Sequence, residues 1–147
     1  LCALCYSLSM IIIKKTSENR SKNMTAIKSK NTKPELTIRK LLFSKGYRFK
    51  IHDKKLPGKP DIVLPKHKTV INVHGCYWHY HGCERSNIPK THTQYWIEKL
   101  EGNKKRDFIN KKKLEKMGFK VIDLWECTLK KKELSKTFLK LEQRLAC

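Results

Sequence analysis

Leu56–Cys83, LPGKPDIVLPKHKTVINVHGCYWHYHGC, decides how this chain is read. Two β-branched runs lie inside it, Asp61–Leu64 and Thr69–Val73, separated by the basic turn Pro65-Lys66-His67-Lys68. That is the pattern of a hairpin or of two adjacent core strands. Around these runs stand a lone carboxylate (Asp61), the imidazoles of His74, His79 and His81, the thiols of Cys76 and Cys83, and the aromatics Tyr77 and Trp78. A packed core requires none of this chemistry, and its density points to a metal-dependent site.

Upstream of the block, Thr32 with Glu35 three positions on makes a capping box, and Pro34 suits a first helical turn. Leu36, Leu41 and Leu42 supply an apolar stripe for a helix that stops near Gly46. Tyr47–Ile51 alternates as a strand should, and 53–60 is turn-rich. Downstream, 75–92 has no periodicity and reads as an irregular loop, a length that usually signals function or a metal clip. A long helix is expected from Thr93 to about Met117, with Trp96, Leu100, Ile109 and Leu114 buried and Gly118 ending it. Phe119–Trp125 reads as a further buried strand, and Leu134, Phe138, Leu141 and Leu145 fall on one face of a terminal helix. The order of elements predicts one α/β domain with a central mixed β-sheet flanked by helices, and no internal repeat is visible.

The chain has 147 residues, enough for one core and too few for two comfortable ones. Its 34 Lys+Arg against 13 Asp+Glu give a formal charge of +21, spread over every segment, loops included. Such a field concentrates polyanions and favours nucleic acid as partner over a membrane, whose basic anchors carry their charge on a single helix. Residues 21–31, SKNMTAIKSKN, read as a basic arm able to order on a phosphate backbone. Residues 1–20 are expected to be a disordered or non-native extension, because LCALCYSLSMIII is too short to span a bilayer and its charges follow it. The domain is then 21–147. The six Cys do not form a secreted disulfide framework, and a reducing cytoplasm fits them better.

Three constellations carry chemistry. Asp61 opens a strand of apolar residues, where a carboxylate is costly unless paired or bound to a cation, although Asp after Pro is also an ordinary turn residue. With His74, His79 and Glu35 it combines hard oxygen ligands with titratable imidazoles, the equipment for Mg²⁺-assisted phosphodiester hydrolysis. Each member has a plainer reading, a structural histidine or, for Glu35, the capping box. Cys76, His81 and Cys83, with Cys127 beyond the long helix, match the thiolate and imidazole preference of Zn²⁺, against the alternative of buried unliganded thiols. Tyr77, Trp78 and Trp96 among basic residues suit base stacking, though Trp96 alone reads as core.

In order, SKNMTAIKSKNTKPE, LPGKPDIVLP, VINVHGCYWHYHGC, PKTHTQYWIEKLEGNKKRD and VIDLWEC closely resemble the very short patch repair DNA mismatch endonucleases of bacteria, over about residues 19–129. The resemblance implies a restriction-endonuclease-like fold and Mg²⁺-dependent nicking of one strand, 5′ to the T of a T:G mismatch left by deamination of 5-methylcytosine. It implies work beside a cytosine-5 DNA methyltransferase and with mismatch-repair proteins, as a monomer on nucleoid DNA in the bacterial cytoplasm. By the same matching, Asp61 and the backbone carbonyl of Val73 are Mg²⁺ ligands and His79 activates water. His74 and Glu35 hold metal-bound water and phosphate, and Cys76, His81, Cys83 and Cys127 hold a structural zinc. Tyr77, Trp78 and Trp96 become intercalating aromatics, overturning the core reading of Trp96, with Lys22, Asn23 and Lys59 as further DNA contacts. Val73 and Tyr77 depart from the Thr and Phe common in that family, and the acidic-x-Lys element of many nucleases of this fold is missing after Asp61. Two rivals remain: a site-specific restriction endonuclease, and a zinc-containing DNA-binding module without catalysis.

Overall fold

A computed structural model describes residues 30–146, and every element lies in the compact unit that begins at Lys33. Residues 1–20 and most of the basic arm, Lys22 and Asn23 included, fall outside the described residues.

Among the described residues, three α-helices and four strands follow one another as α1 (Lys33–Ser44), β1 (Lys50–Ile51), β2 (Ile62–Leu64), β3 (Thr69–His74), α2 (Thr93–Lys116), β4 (Lys120–Trp125) and α3 (Lys131–Ala146). The strands form one mixed sheet in the order β1-β2-β3-β4. β2 and β3 are an antiparallel hairpin with Ile62 opposite Ile71, and the Pro65–His67 3₁₀ turn between them is closed by Lys68 at φ 44°. β3 and β4 are parallel, Thr69 opposite Lys120 through His74 opposite Trp125, so α2 is the crossover that parallel pairing requires.

Strand alternation divides the core in two. Ile62, Leu64, Ile71, Ile122 and Leu124 pack with Ile38 and Leu42 of α1 and with Phe138, Leu141 and Leu145 of α3. Val63, Val70 and Val121 point the other way and meet Leu114 of α2. Helices therefore cover both faces, and each fully buried Ile or Leu contributes roughly 1.5–3 kcal/mol of transfer free energy. By the same two-residue period, Asn72, His74, Asp123 and Trp125 share the α2 face with Val70 and Val121.

Glycines end α1 and α2 alike. Gly118 (φ 82°) lets its own N–H reach Glu115 O at 3.0 Å and the Phe119 N–H reach Leu114 O at 3.1 Å. Gly46 (φ 84°) does the same at the end of α1, with bonds to Phe43 O and from Tyr47 to Leu42 O, both 3.0 Å. The left-handed residue closes the last orphan carbonyls of the helix.

Three expectations are corrected. The strand at Tyr47–Ile51 shortens to Lys50–Ile51, because only Val63 and Ile62 face it; Tyr47 and Phe49 still pack on the core. Leu36 is 43% exposed, since the inward face of α1 is the i, i+3, i+4, i+7 set Glu35, Ile38, Arg39 and Leu42. Ile109 is equally exposed, and in α2 the apolar buried positions are Leu100 and Leu114 alone.

Candidate active site and metal centre

The chemistry collects where β2 begins and β3 and β4 end. Asp61, one residue before β2, accepts the Val73 N–H on Oδ2 at 2.7 Å, so the strand hydrogen-bonding pattern runs on into a side chain. Burial pushes the Asp61 carboxyl above its ordinary pKa, against the lowering by that N–H; Glu35 adds to the rise, while His52 and His74 oppose it. A half-buried carboxylate that its surroundings disfavour is well suited to a cation.

His74 closes β3 and lies with Nε2 3.1 Å from Asp123 Oδ1, which also accepts from Asn72 Nδ2 at 3.0 Å. Lys111 of α2 donates to the other oxygen at 3.0 Å. Burial alone would raise Asp123, but the hydrogen bonds from His74, Asn72 and Lys111 outweigh it and hold the carboxyl well below the usual range. The His79 ring stands 4.2 Å from that of His74, and its Nδ1 meets Asp107 Oδ2 of α2 at 2.5 Å. Each imidazole is thus backed by its own carboxylate, which fixes its orientation.

Behind this pair lies the sulfur cluster. Cys76, His81, Cys83 and Cys127 bring one donor atom each within 4.8 Å of all the others. His81 Nδ1 and Cys127 Sγ are 3.6 Å apart, close to the ~3.6 Å edge of a tetrahedron with Zn–S near 2.3 Å and Zn–N near 2.05 Å. The Cys76 thiol is pushed up to about 12, first by burial, whereas Cys83 is pulled down to about 7, first by its hydrogen bond to His81. Side by side, the thiols cannot all ionise without a compensating cation. Three sulfurs and one imidazole, with no further ligand position required, fit a closed structural site. His81 stacks flat on Trp125 (4.1 Å, 16°), and Arg85 pairs with Glu126 at 2.8 Å, tying the loop to the end of β4.

The loop also projects the aromatics. Tyr77 lies 5.1 Å from Trp78 and 5.7 Å from Trp96, and Trp78 and Trp96 are 6.2 Å apart. All three are half-buried, neither core nor free. Lys99 reaches over the Trp96 ring at 5.9 Å, placing a cation beside the cluster. Lys59 is exposed on the Leu56–Asp61 loop at φ 50°. Glu35 is buried on α1, where Arg39 Nη2 donates to its Oε2 at 2.7 Å.

The sequence alone assigns no role to Asp107, Asp123, Lys111 or His52, although Asp107 and Asp123 lie within quoted motifs. Asp107 and Lys111 had a usable signal, for continuing the helical spacing from Trp96 and Leu100 passes through Asn103, Asp107, Lys111 and Leu114. The inner face of α2 is polar in the middle, and an apolar search skips it. Asn103 donates to Trp78 O at 2.9 Å, so three successive turns hold the loop, His79 and Asp123. His52, with ring nitrogens 3.7 Å from Glu35 and 3.8 Å from Asp61, had no local signal.

A carboxylate at a strand mouth, two carboxylate-backed imidazoles and a basic surface are the equipment of a metal-assisted phosphodiester hydrolase. The family model described as DNA mismatch endonuclease Vsr matches residues 13–85. The type II nicking enzyme V.NmeAIP of Neisseria meningitidis is 51% identical over 119 residues, covering 81% of this chain and 85% of the relative. V.XorIIP of Xanthomonas oryzae pv. oryzae, also a type II nicking enzyme, is 46% identical over 76% of this chain and 82% of its own length. The DNA mismatch endonuclease Vsr of Escherichia coli K12 is 40% identical over 78% of this chain and 73% of its own. The chain belongs to the Vsr family of DNA mismatch endonucleases.

Proposed function

We propose that the protein, through an endonuclease domain over 21–147 with a restriction-endonuclease-like fold, nicks one DNA strand 5′ to the T of a T:G mismatch. The observation that carries this reading is the pairing of His79 with Asp107, against His74, on a chain of this family. The relatives' names as nicking enzymes favour a cut in one strand over the double-strand cut of a restriction enzyme.

Asp61 and the Val73 carbonyl would hold Mg²⁺. Because N–H and C=O of one strand residue face the same neighbour, the Val73 N–H bound to Asp61 implies that its carbonyl turns to that side too. When bound, the cation supplies positive charge against the phosphate as it gains a fifth oxygen. His79 takes the proton of the attacking water on Nε2 while Asp107 holds Nδ1. The water oxygen forms the new P–O bond, the opposite P–O bond to the departing sugar oxygen breaks, that oxygen takes a proton from solvent to leave as a hydroxyl, and phosphorus inverts. His74, held by Asp123, and Glu35 orient solvent and phosphate. Cys76, His81, Cys83 and Cys127 would hold Zn²⁺ and so fix the loop that carries His79, Tyr77 and Trp78. Those two aromatics and Trp96 wedge into the duplex beside the mismatch, and Lys22, Asn23 and Lys59 bind its backbone. A monomer in the bacterial cytoplasm, working on the nucleoid beside a cytosine-5 methyltransferase and mismatch-repair proteins, completes the reading. Among the described residues, no helix is long and apolar enough to cross a membrane.

The test is a nicking assay on a duplex with one T:G pair, against T:A and C:G controls, with wild type, Asp61→Ala and His79→Ala. The expected result is a Mg²⁺-dependent nick by wild type alone, on the T:G duplex alone. Wild-type inactivity in Mg²⁺ across varied flanking sequences would overturn the reading. Mismatch binding without any Mg²⁺-dependent product would favour the non-catalytic module.

A further inference from the structure

His52 is the residue of this site that neither strand pattern nor motif announces. It follows β1 at φ 47°, in the left-handed region that costs a non-glycine residue about 1 kcal/mol or more and persists only where surroundings hold it. Its backbone N–H points to Asp61 O at 3.4 Å, so the β1–β2 ladder brings the two residues side by side.

The side chains around it form a directed chain. Arg39 Nη2 donates one hydrogen to Glu35 Oε2 at 2.7 Å and lies 3.0 Å from His52 Nε2. A guanidinium has donors only, so Nε2 must be the acceptor and the ring proton must sit on Nδ1. That nitrogen faces Asp61 Oδ1 at 3.8 Å, beyond direct hydrogen-bonding distance but within electrostatic reach, while Asp61 Oδ2 is taken by Val73 N–H. The Glu35, His52 and Asp61 donor atoms lie within 4.8 Å of one another, a spacing that would admit a divalent cation. The Arg39 guanidinium already occupies the approach between Glu35 and His52 and supplies positive charge there.

We propose that Arg39 and His52 form a positioning relay for Asp61, with Arg39 holding the His52 ring so that its Nδ1–H faces the carboxylate. This rests on the reading of Asp61 as the cation-holding carboxylate. The strand holds Oδ2, and the ring N–H dipole of His52 biases the orientation of the Oδ1 side, so a cation would meet a preset ligand. His52 is a positioning residue, acting through Asp61.

Three measurements on zinc-replete protein test it. Long-range ¹H–¹⁵N spectra of the imidazoles, with His52 assigned by its loss in His52→Gln, should show the proton on Nδ1; a proton on Nε2 would overturn the relay. Calorimetric Mn²⁺ titration should show binding lost in Asp61→Ala, weakened about tenfold in His52→Leu and restored to within threefold in His52→Gln, whose carbonyl can accept from Arg39 while its N–H faces Asp61. Unchanged Mn²⁺ affinity in His52→Leu, or no advantage of Gln over Leu, would overturn it. On the T:G duplex, kcat should fall about tenfold in His52→Leu with KM for DNA unchanged; an equal rise in KM with constant kcat would refute the assignment. The spectra and the titration do not need turnover, so failure of the catalytic reading would be seen separately. Should His52→Leu fail to fold, the wild-type spectrum and the Gln titration still decide.

Discussion

Replacing Asp107 by Asn leaves the shape of the site intact and removes the charge behind His79. The carboxylate contacts Nδ1 at 2.5 Å, and the two side chains are 23% and 30% exposed. For charge centres about 4 Å apart at an effective dielectric near 20, Coulomb's law gives about 4 kcal/mol as an upper figure. Partial exposure reduces this towards the roughly 1.5–3 kcal/mol typical of a hydrogen bond to a charged group. That is the scale of the hydrogen bond with which Asp107 can stabilise the charge that develops as the attacking water gives up its proton. At about 1.4 kcal/mol per tenfold, kcat should fall ten- to about 150-fold. The amide N–H of Asn can also donate to Nδ1 and force the proton to Nε2, which puts the loss at the upper end, near hundredfold, with KM for DNA unchanged. The assay is single-turnover nicking of an end-labelled T:G duplex on denaturing gels, for Asp107→Asn, His79→Ala and the double variant. Because Asp107 acts through His79, the double variant should be no slower than His79→Ala. A rate within threefold of wild type for Asp107→Asn, or losses that multiply in the double variant, would refute the reasoning.

Asp61→Asn should lose nicking at least a thousandfold and yet unfold at the same or a slightly higher temperature in Mg²⁺-free buffer. Burial raises the Asp61 pKa from 3.8, so any stability it contributes is present below that value and lost as pH rises through the folded one. Asp123 has the opposite sign: its folded pKa is lowered from 3.8, so its contribution is present above that value and lost as pH falls through the folded one. Asp123→Asn should therefore flatten the acid limb of thermal stability, and an unchanged limb would count against the hydrogen bonds drawn to it. Protein purified without chelator should carry about one zinc per chain, kept when Cys2, Cys5 and Cys147 are all Ser and lost in Cys83→Ser; below half a zinc, the four-ligand centre fails. Gly58→Ala places a Cβ 2.9 Å from Asn110 Nδ2 at φ 74° and should cost about 1–3 kcal/mol, read by denaturant unfolding. Adding Asn110→Ala should recover only the contact part of that loss; full recovery would show that the left-handed backbone carries no penalty.

What the sequence made legible follows from what kind of force leaves a mark in it. The β2–β3 hairpin, β4 and α3 were readable because burial imposes a period of two or 3.6 on apolar residues, and Ile62, Ile71, Ile122 and Phe138 obey it. The Cys76–Cys83 cluster was readable because thiols and imidazoles at short spacing have few other uses. Strand length at Tyr47–Ile51 was not, since it depends on how many residues a partner strand offers, and β2 offers two. Nor was the inward face of α1, where a buried Glu35–Arg39 pair takes positions that an apolar count assigns elsewhere. α2 makes the general case. Its 24 residues bury only Leu100 and Leu114, too little to hold a long helix against a sheet by apolar contact alone. Between those two, Asn103, Asp107 and Lys111 repeat every four residues and bind the loop, His79 and Asp123 in turn. The helix is docked partly through the polar groups that the site needs oriented, so packing and chemistry draw on the same contacts. A sequence search that equates an inward face with an apolar one finds both ends of such a helix and passes over the stretch that positions the site.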